Sequence, residues 1–511
     1  MSCGRLLLVT LGLAALGCSD WGGLATVGSV TDTDLSDNPT DPTDPSMVGS
    51  DPTEPSFAST DPSDPGEELQ VSFSEDQCNF YVASEERGEG DGTSWMDATP
   101  YLRQAMEAGE RNKAQGSCEA VTVKIGEGIF LPHPSNPDLS FPLFGDLVVQ
   151  GGFAGTDEDT RDLGTFKTVL AGRIGEGGPQ SLHVLRGSGN GIEEVRLEGV
   201  TIQEGRAVGS GDDAKGGGLF VEGLVLSLID TVIRDNFAIE RGGGLWLDGG
   251  QLVEGNVRWE DNMTDGDGGA LFARDARAYP YFADYIDNRA NRGGAVYIQN
   301  TLEWFLQRTQ FDGNSASEGG AFFAEAGSNL KACRTFFVNN HAILGGALMT
   351  DRLDMVAVAS TVFTQNTADE GSSVYIKDSE SLSLTHLTMT ENGDVGLSNI
   401  EIKGPNPWHI YNSILWRNGI SFLADELPML EYNLLEGLDG VSETNLSADP
   451  RFEATFSQAP ETWDLSVASD SIVIDAGSDD LIRRDFCNQD VMAGPRSLGD
   501  AVDIGAYEFA P

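Results

Sequence analysis

Phe311-Asp312-Gly313-Asn314 followed by Gly319-Gly320-Ala321-Phe322-Phe323 is the stretch that decides the fold, because its parts recur in phase along the chain. Asn stands at Asn236, Asn262, Asn288, Asn314, Asn340, Asn366, Asn392 and Asn418, a constant step of 26 residues. Three positions before each lies a bulky or apolar residue: Ile233, Trp259, Tyr285, Phe311, Phe337, Phe363, Met389 and Leu415. Small-residue corners keep the same beat at Gly217-Gly218, Gly243-Gly244, Gly268-Gly269-Ala270, Gly293-Gly294-Ala295 and Gly345-Gly346-Ala347. The corner motif then decays to Gly371-Ser372-Ser373 and Gly396-Leu397-Ser398. Two interlocked motifs held over eight units mark a repeat architecture.

Between these landmarks the segments alternate apolar and polar, as in Leu245-Trp246-Leu247-Asp248 and Ser381-Leu382-Ser383-Leu384, which is strand periodicity. Three short strands with their turns fill a unit of about 26 residues and leave no room for a helix, so each unit reads as one coil of a parallel β-helix. At roughly 4.8 Å per coil, eight coils make a rod about 40 Å long before its ends are added. Asn in one turn of successive coils is expected to form an amide ladder, since an amide both donates and accepts. The corner glycines are expected to supply positive φ and close backbone approach. The Asn column is therefore structural. The fold class is all-β, a parallel β-helix solenoid with an N-terminal capping helix and an irregular C-terminal cap.

The chain has 511 residues with 81 acidic against 31 basic, a formal charge of −50, and 63 Gly. Such a charge repels phosphate backbones, so nucleic acid is excluded as a partner. Met1 to Gly17 carries one basic residue, Arg5, and an apolar run too short to span a bilayer; it resembles a bacterial lipoprotein signal ending before Cys18. That resemblance implies a lipidated Cys18, export, and attachment to a membrane at the bacterial outer membrane or cell surface. Ser19 to about Glu68 is rich in Asp-Pro, Thr and Ser and carries no Lys or Arg, so it reads as a solvated, disordered stalk. The expected organisation is a signal over 1–17, a stalk over 18–70, an N-terminal cap over 71–135, repeats over 136–420 and a C-terminal cap over 421–511. In an exported protein Cys78 and Cys118, flanking one compact segment, are expected to form a disulfide. Cys333 lies in a repeat strand and is expected to be buried; no partner is assigned to it or to Cys487.

The paired Phe-x-x-Asn and Gly-Gly-Ala elements resemble the repeats of chlamydial-type polymorphic outer-membrane proteins, with Phe311–Phe322 as the nearest unit. The ends resemble bacterial surface β-helix proteins with a variable choice of anchor. Gly90-Asp91-Gly92-Thr93-Ser94-Trp95, Gly151-Gly152-Phe153-Ala154-Gly155-Thr156 and Val502-Asp503-Ile504-Gly505-Ala506-Tyr507-Glu508 carry that likeness, as do Ser413–Asn418 and Ala448–Phe452. Together these resemblances span about residues 78–511. They imply a right-handed β-helix and an adhesin-like role, whereas a shared scaffold does not fix an activity.

The open ends of a β-helix need covering. Thr99-Pro100 is read as a helix start, with Leu102, Ala105, Met106 and Gly109 on one face to plug the N-terminal end. For function, one column stands out: Phe220, Trp246, Phe272, Tyr297, Phe323, Met349 and Tyr375 follow the small corners. Leu245 and Leu247 read as core, so alternation points this column outward. Trp246, Phe272, Tyr297, Phe323 and Tyr375 are then candidate stacking faces for an extended glycan. The bland alternative is that these rings are covered and stack on one another. An enzyme of pectate-lyase-like fold would need clustered carboxylates, with calcium or across a glycosidic bond. Asp212-Asp213, Asp265, Asp267, Asp351 and Asp354 are available, but abundance in so acidic a chain singles out none. None of His133, His183, His341, His386 and His409 sits in a catalytic motif, and His386 reads as a satisfied strand residue. The expectation is a lipid-anchored surface rod, adhesin-like or glycan-binding, without catalytic residues or a required cofactor, calcium remaining open. Polysaccharide cleavage and a purely structural envelope rod are the alternatives.

Overall fold

The computed structural model describes residues 71–156, 159–173, 178, 180–393, 398–403, 408–417, 419–420, 429–436, 442–453, 465–482, 486–487 and 489–509. The chain divides into Met1–Asp64 and Pro65–Pro511, and all that follows concerns the second unit. The signal, Cys18 and Asn418 lie outside the described residues.

The unit is a right-handed parallel β-helix of about 11 turns with roughly 26 residues per coil. One sheet has 21 strands, a second has 11, and a third, short sheet has 3. In one coil, Leu245–Asp248 belongs to the 11-stranded sheet, Gln251–Glu260 to the long sheet and Met263–Thr264 to the short one. The strands stack in parallel register, with Leu245 against Leu271, Leu271 against Val296 and Val296 against Phe322.

Two columns of left-handed residues bend every coil. Asp230, Asn256, Phe282, Arg308, Arg334, Ser360, His386 and Asn412 recur every 26 residues with φ between 48° and 58°. Asp235, Asp261, Asp287, Asn339, Gln365, Glu391 and Arg417 form the second column. The glycine corner divides its tasks between neighbours. Gly319 takes φ +63°, whereas a Cβ on Gly320 would lie 2.0 Å from the Gly346 carbonyl oxygen. The first needs conformational freedom and the second needs space.

The Asn column is more densely bonded than an amide-to-amide ladder. Asn314 Nδ2 donates to Asn340 Oδ1 at 3.0 Å and back to the Tyr285 carbonyl at 2.8 Å. Its Oδ1 accepts from both the backbone N–H and the Nδ2 of Asn288, each at 3.0 Å. The pattern runs from Asn236 to Asn392, and the carbonyl used is that of the bulky residue three before the preceding Asn. Those bulky residues form an inner stack. Tyr285, Phe311, Phe337 and Phe363 follow at centroid distances of 4.8 Å with planes within 7°.

The capping helix, α1, spans Leu102–Ala114 and packs on Asn79–Val82, Val121–Gly126 and Phe141–Leu143, burying Leu102, Ala105, Met106 and Gly109. It starts after Tyr101 rather than after Thr99. Thr99 is held by the sheet edge, its N–H donating to Tyr81 O at 3.1 Å and its C=O accepting from Ala83 N at 3.0 Å. The long sheet begins at Asn79–Val82, within the segment assigned to the cap. Cys78 and Cys118 are disulfide-bonded, and a second disulfide joins Cys333 to Cys487 across 154 residues.

The C-terminal region is irregular, and it runs back along the flank of the rod. Met429–Glu431 and Leu434–Leu435 still extend the long sheet. Asn433 and Asn445 stack in another column: Ser413 N donates to Asn433 Oδ1 at 2.9 Å and Asn433 N to Asn445 Oδ1 at 3.0 Å. Leu465, Val491, Ala506 and Tyr507 then pack on Val362, while Val467, Val473 and Ile504 pack on Ile414 and Leu434. This strap docks on the first left-handed column. Ser360 Oγ donates to Gln489 O at 2.7 Å, and Ser478 N donates to Asn412 Oδ1 at 2.9 Å. The terminal Asp503-Ile504-Gly505-Ala506 motif is thereby structural: Ile504 and Ala506 face the rod, and Ala506 N donates to Thr388 Oγ1 at 2.9 Å.

One inward position of the long sheet holds a carboxyl group. Glu254 is buried in the core, accepting from Trp259 Nε1 at 2.5 Å and from Tyr285 OH at 2.9 Å. Burial pushes its carboxyl up from 4.5 to about 7, against the two donors that favour the charged form. The unfolded chain therefore loses this proton near pH 4.5 and the folded one only near 7. The associated stability is complete below the lower value and lost as pH climbs to the upper one, a swing of about 3 kcal/mol.

Two outcomes follow for chemical denaturation. Asn314→Ala strands the Asn288 N–H and the Tyr285 carbonyl inside the rod and lowers stability by about 4 kcal/mol; an unchanged midpoint would remove the ladder from the account. Glu254→Gln gains about 3 kcal/mol relative to the parent between about pH 4.5 and 7.5, and a difference that does not vary with pH contradicts the assignment.

Candidate functional site

The outward aromatic column does not meet solvent. Leu245 and Leu247 lie in the main core, and Trp246 between them belongs to a separate cluster with Phe220, Phe272, Tyr297, Phe323, Met349 and Tyr375. Trp246 is 2% exposed and Tyr297 1%. Trp246–Phe272, Phe272–Tyr297 and Tyr297–Phe323 stack at 4.6, 5.2 and 5.1 Å with planes within 8°. Cations from the corners roof the stack: Lys215 over Trp246, Arg241 over Phe272 and Arg292 over Tyr297, each at 4.8 Å. Asp267 holds that roof, at 3.4 Å from Arg241 and 2.8 Å from Arg292. The expectation of sugar stacking on Trp246, Phe272, Tyr297, Phe323 and Tyr375 is thus corrected. One coil rise is close to one ring thickness, so the neighbouring rings occupy the faces a sugar would need.

Rings are exposed one sheet away. Tyr281 and Phe282, consecutive in Arg277–Ile286, are each 43% exposed and meet edge to face at 4.5 Å. Phe282 occupies the first bend column with φ +54°, an outlier conformation for a bulky side chain. Arg308, one coil on in that column, lies 4.7 Å from the Phe282 ring centre and 5.8 Å from that of Tyr281. Half-buried Tyr279 and Phe305 border the pair, and Tyr279 OH donates to Glu303 at 3.2 Å, which also accepts from Lys331 at 2.9 Å. From the strap, Phe486, 38% exposed, meets Phe305 edge-on at 5.8 Å. The next column residue, Arg334, donates from Nη1 to Gln489 at 2.9 Å.

A shallow groove of about 400 Å³ lies nearer the N-terminal coils, lined in part by Arg173, Glu204, Arg206, Asp235, Phe237 and Asp261. Arg206 covers Phe237 at 4.7 Å, and Arg173 lies 3.6 Å from Glu204. Burial raises both the Asp235 and Asp261 carboxyls; Glu204 and Glu260 add to the first, Asp235 and Glu260 to the second. None of the five histidines lines this groove. His386, left-handed and buried, places Nε2 3.0 Å from Asn412 Nδ2. Asp267, Asp351 and the pair Asp212-Asp213 stand in ion pairs with neighbouring Arg or Lys. Among the described residues no group of three or more His, Cys, Asp or Glu is arranged to hold a metal ion.

Neither the protein-family models nor the curated proteins contain a match to this chain. Among solved structures, the chain is similar to pectate lyase Pel9A, with 11% identity and TM-score 0.39 over 86% of this chain and 97% of that one. It is also similar to the catalytic unit of the GH87 α-1,3-glucanase of Streptomyces thermodiastaticus strain HF3-3, with 15% identity and TM-score 0.31 over 68% of each chain. A third is the A-module of the mannuronan C-5 epimerase AlgE4 of Azotobacter vinelandii, with 13% identity and TM-score 0.24 over 66% and 95%. These likenesses concern the path of the chain and assign no activity to it.

Because the outer stack is internal packing, Trp246→Ala is expected to lower stability by about 3–5 kcal/mol while leaving any glycan retention at Tyr281 and Phe282 unchanged. Chemical denaturation and polymer co-elution read the two effects separately; lost retention in a stably folded variant would return the stack to the surface.

Proposed function

We propose that this chain is an exported rod, lipid-anchored through Cys18, that binds a glycan without cleaving it. The polysaccharide belongs to its surroundings or to another cell surface. What carries the reading is Phe282: a bulky ring held in a costly left-handed bend and left open to solvent beside Tyr281. Paired exposed rings offer the CH faces of a sugar an apolar contact that water does not compete for. The repeat supplies a stiff scaffold behind them, and the acidic segment before residue 71 supplies reach from a membrane.

A second reading is a glycoside hydrolase or polysaccharide lyase acting in the groove. It rests on Asp235 and Asp261, one coil apart, whose carboxyls are both raised, since a hydrolase needs two carboxyl groups on either side of the bond. The groove holds no histidine, and its cations stand against Glu204 and Phe237.

Pro65–Pro511, mixed with neutral and acidic polysaccharides with and without calcium and followed by size exclusion, separates the readings. Co-elution with intact polymer, weakened about tenfold by Tyr281→Ala or Phe282→Ala, is the expected result, as losing one stacking face costs about 1 kcal/mol or more. Shortened polymer transfers the function to the groove. With neither, the rod serves as structure or binds a protein.

A further inference from the structure

We infer that the glycan taken by this face is anionic, with a carboxylate or sulfate ester of one sugar seated on Arg308 while the ring lies against Phe282 and Tyr281. The inference rests on the glycan-binding reading and adds the class of ligand. Its starting point is charge. In a chain with 81 acidic and 31 basic residues, a cation has carboxylates to spare, and most described arginines take one. Arg308 and Arg334 do not. No carboxylate of the described residues lies within ion-pair distance of either, and the Nε of each is a buried donor without a partner. The Arg308 guanidinium meets two ring faces, and Arg334 gives one Nη to the neutral amide of Gln489.

The two occupy the same bend column on successive coils, about 4.8 Å apart along the rod, and like charges so placed repel. Burial, and then the charge of Arg308, makes the proton of Arg334 easier to lose than usual. The carboxylate acting on Arg334 from the strap is Asp490, whose oxygens already accept from Gly494 N at 2.5 Å and Glu508 N at 3.4 Å. An anion resting on Arg308 and facing Arg334 relieves the repulsion that the chain itself leaves. The planar guanidinium fork matches the two oxygens of a carboxylate or sulfate, and stacking on Phe282 fixes its plane beside the sugar. Phe486, carried by the strap next to the Cys333–Cys487 disulfide, packs edge-on against Phe305 of the adjoining strand.

Net charge sharpens the test. A chain of charge −50 repels polyanions at long range, but at about 0.15 M salt charges beyond about 8 Å are screened and only a contact site survives. The full chain is titrated under these conditions with dextran, carboxymethyl dextran and dextran sulfate, which differ only in the attached anion. At least one anionic polymer is expected to bind about tenfold more tightly than dextran, and the pair tells carboxylate from sulfate ester. Arg308→Gln is expected to abolish that preference, so that the anionic polymers bind it no more tightly than dextran does, while its unfolding midpoint stays near the parent's. Arg308→Lys keeps the charge without the fork and retains part of the preference. Dextran bound as tightly as both polyanions, with Phe282→Ala still weakening it, overturns the inference and leaves glycan binding standing. An anion preference that survives Arg308→Gln overturns it likewise. Insensitivity of every polymer to Phe282→Ala removes the glycan-binding reading as well.

Discussion

A single buried amide per coil holds the rod in phase. Each Asn closes bonds to the coil before it and the coil after it, and its Nδ2 reaches the carbonyl of the bulky residue that anchors the neighbouring strand. Neither an aliphatic nor a charged side chain could both donate and accept in that stack. An added residue before one Asn would break bonds in two coils at once, so the 26-residue period is enforced where the amides sit and relaxed elsewhere. Phe272 and Tyr297 are 25 residues apart and still pair in register.

Once the period is locked, side chains act as columns rather than as individuals. A column of rings buries itself, because neighbouring faces arrive at stacking distance; that explains both the inner series from Tyr285 to Phe363 and the roofed outer series around Trp246. A column of like charges pushes against itself: burial comes first in raising the carboxyls of Asp261 and Asp287, and the carboxylate one coil back, Asp235 or Asp261, adds to it. Recognition therefore belongs where a column changes its residue type. The first bend column reads Asn256, Phe282, Arg308, Arg334, Ser360, and there an open ring falls beside two cations that have no carboxylate of the described residues at ion-pair distance.

The period and the strand assignment were legible from spacing, the Asn ladder from spacing and the two-way hydrogen bonding of an amide, and the Cys78–Cys118 pairing from the export that the N-terminal resemblance implies together with the two cysteines' place around one segment. Alternation correctly placed Trp246 outside the sheet, but it carries no information about what covers an outer face. The roof comes from corner residues such as Arg241 and Arg292, several positions away from the rings they cover. Tyr281-Phe282 escapes the alternation because the left-handed bend between the two halves of a strand shifts it by one, so two consecutive rings face solvent. Two adjacent aromatics in a strand whose neighbours at the same phase are Gly255-Asn256 and Gln307-Arg308 is the signal that was present. The strap was out of reach for a different reason: its contacts join Ser360 to Gln489 and Arg334 to Gln489 over 129 and 155 residues, and no period links them. Glu254 sits at an inward position of the alternation and was hidden only by the acidity of everything around it.

The central claim is that the ring faces available to a ligand are those of Tyr281 and Phe282 and not those of the Trp246 stack. Hydroxyl-radical footprinting of the full chain, with and without a retained polysaccharide, tests it residue by residue. The account predicts oxidation of Tyr281 and Phe282 in the free protein, protection of both by the polymer, and little labelling of Trp246 or Tyr297 in either state. Ready oxidation of Trp246 and Tyr297 that the polymer suppresses, with Tyr281 and Phe282 unaffected, would contradict it and put the binding surface back on the outer column.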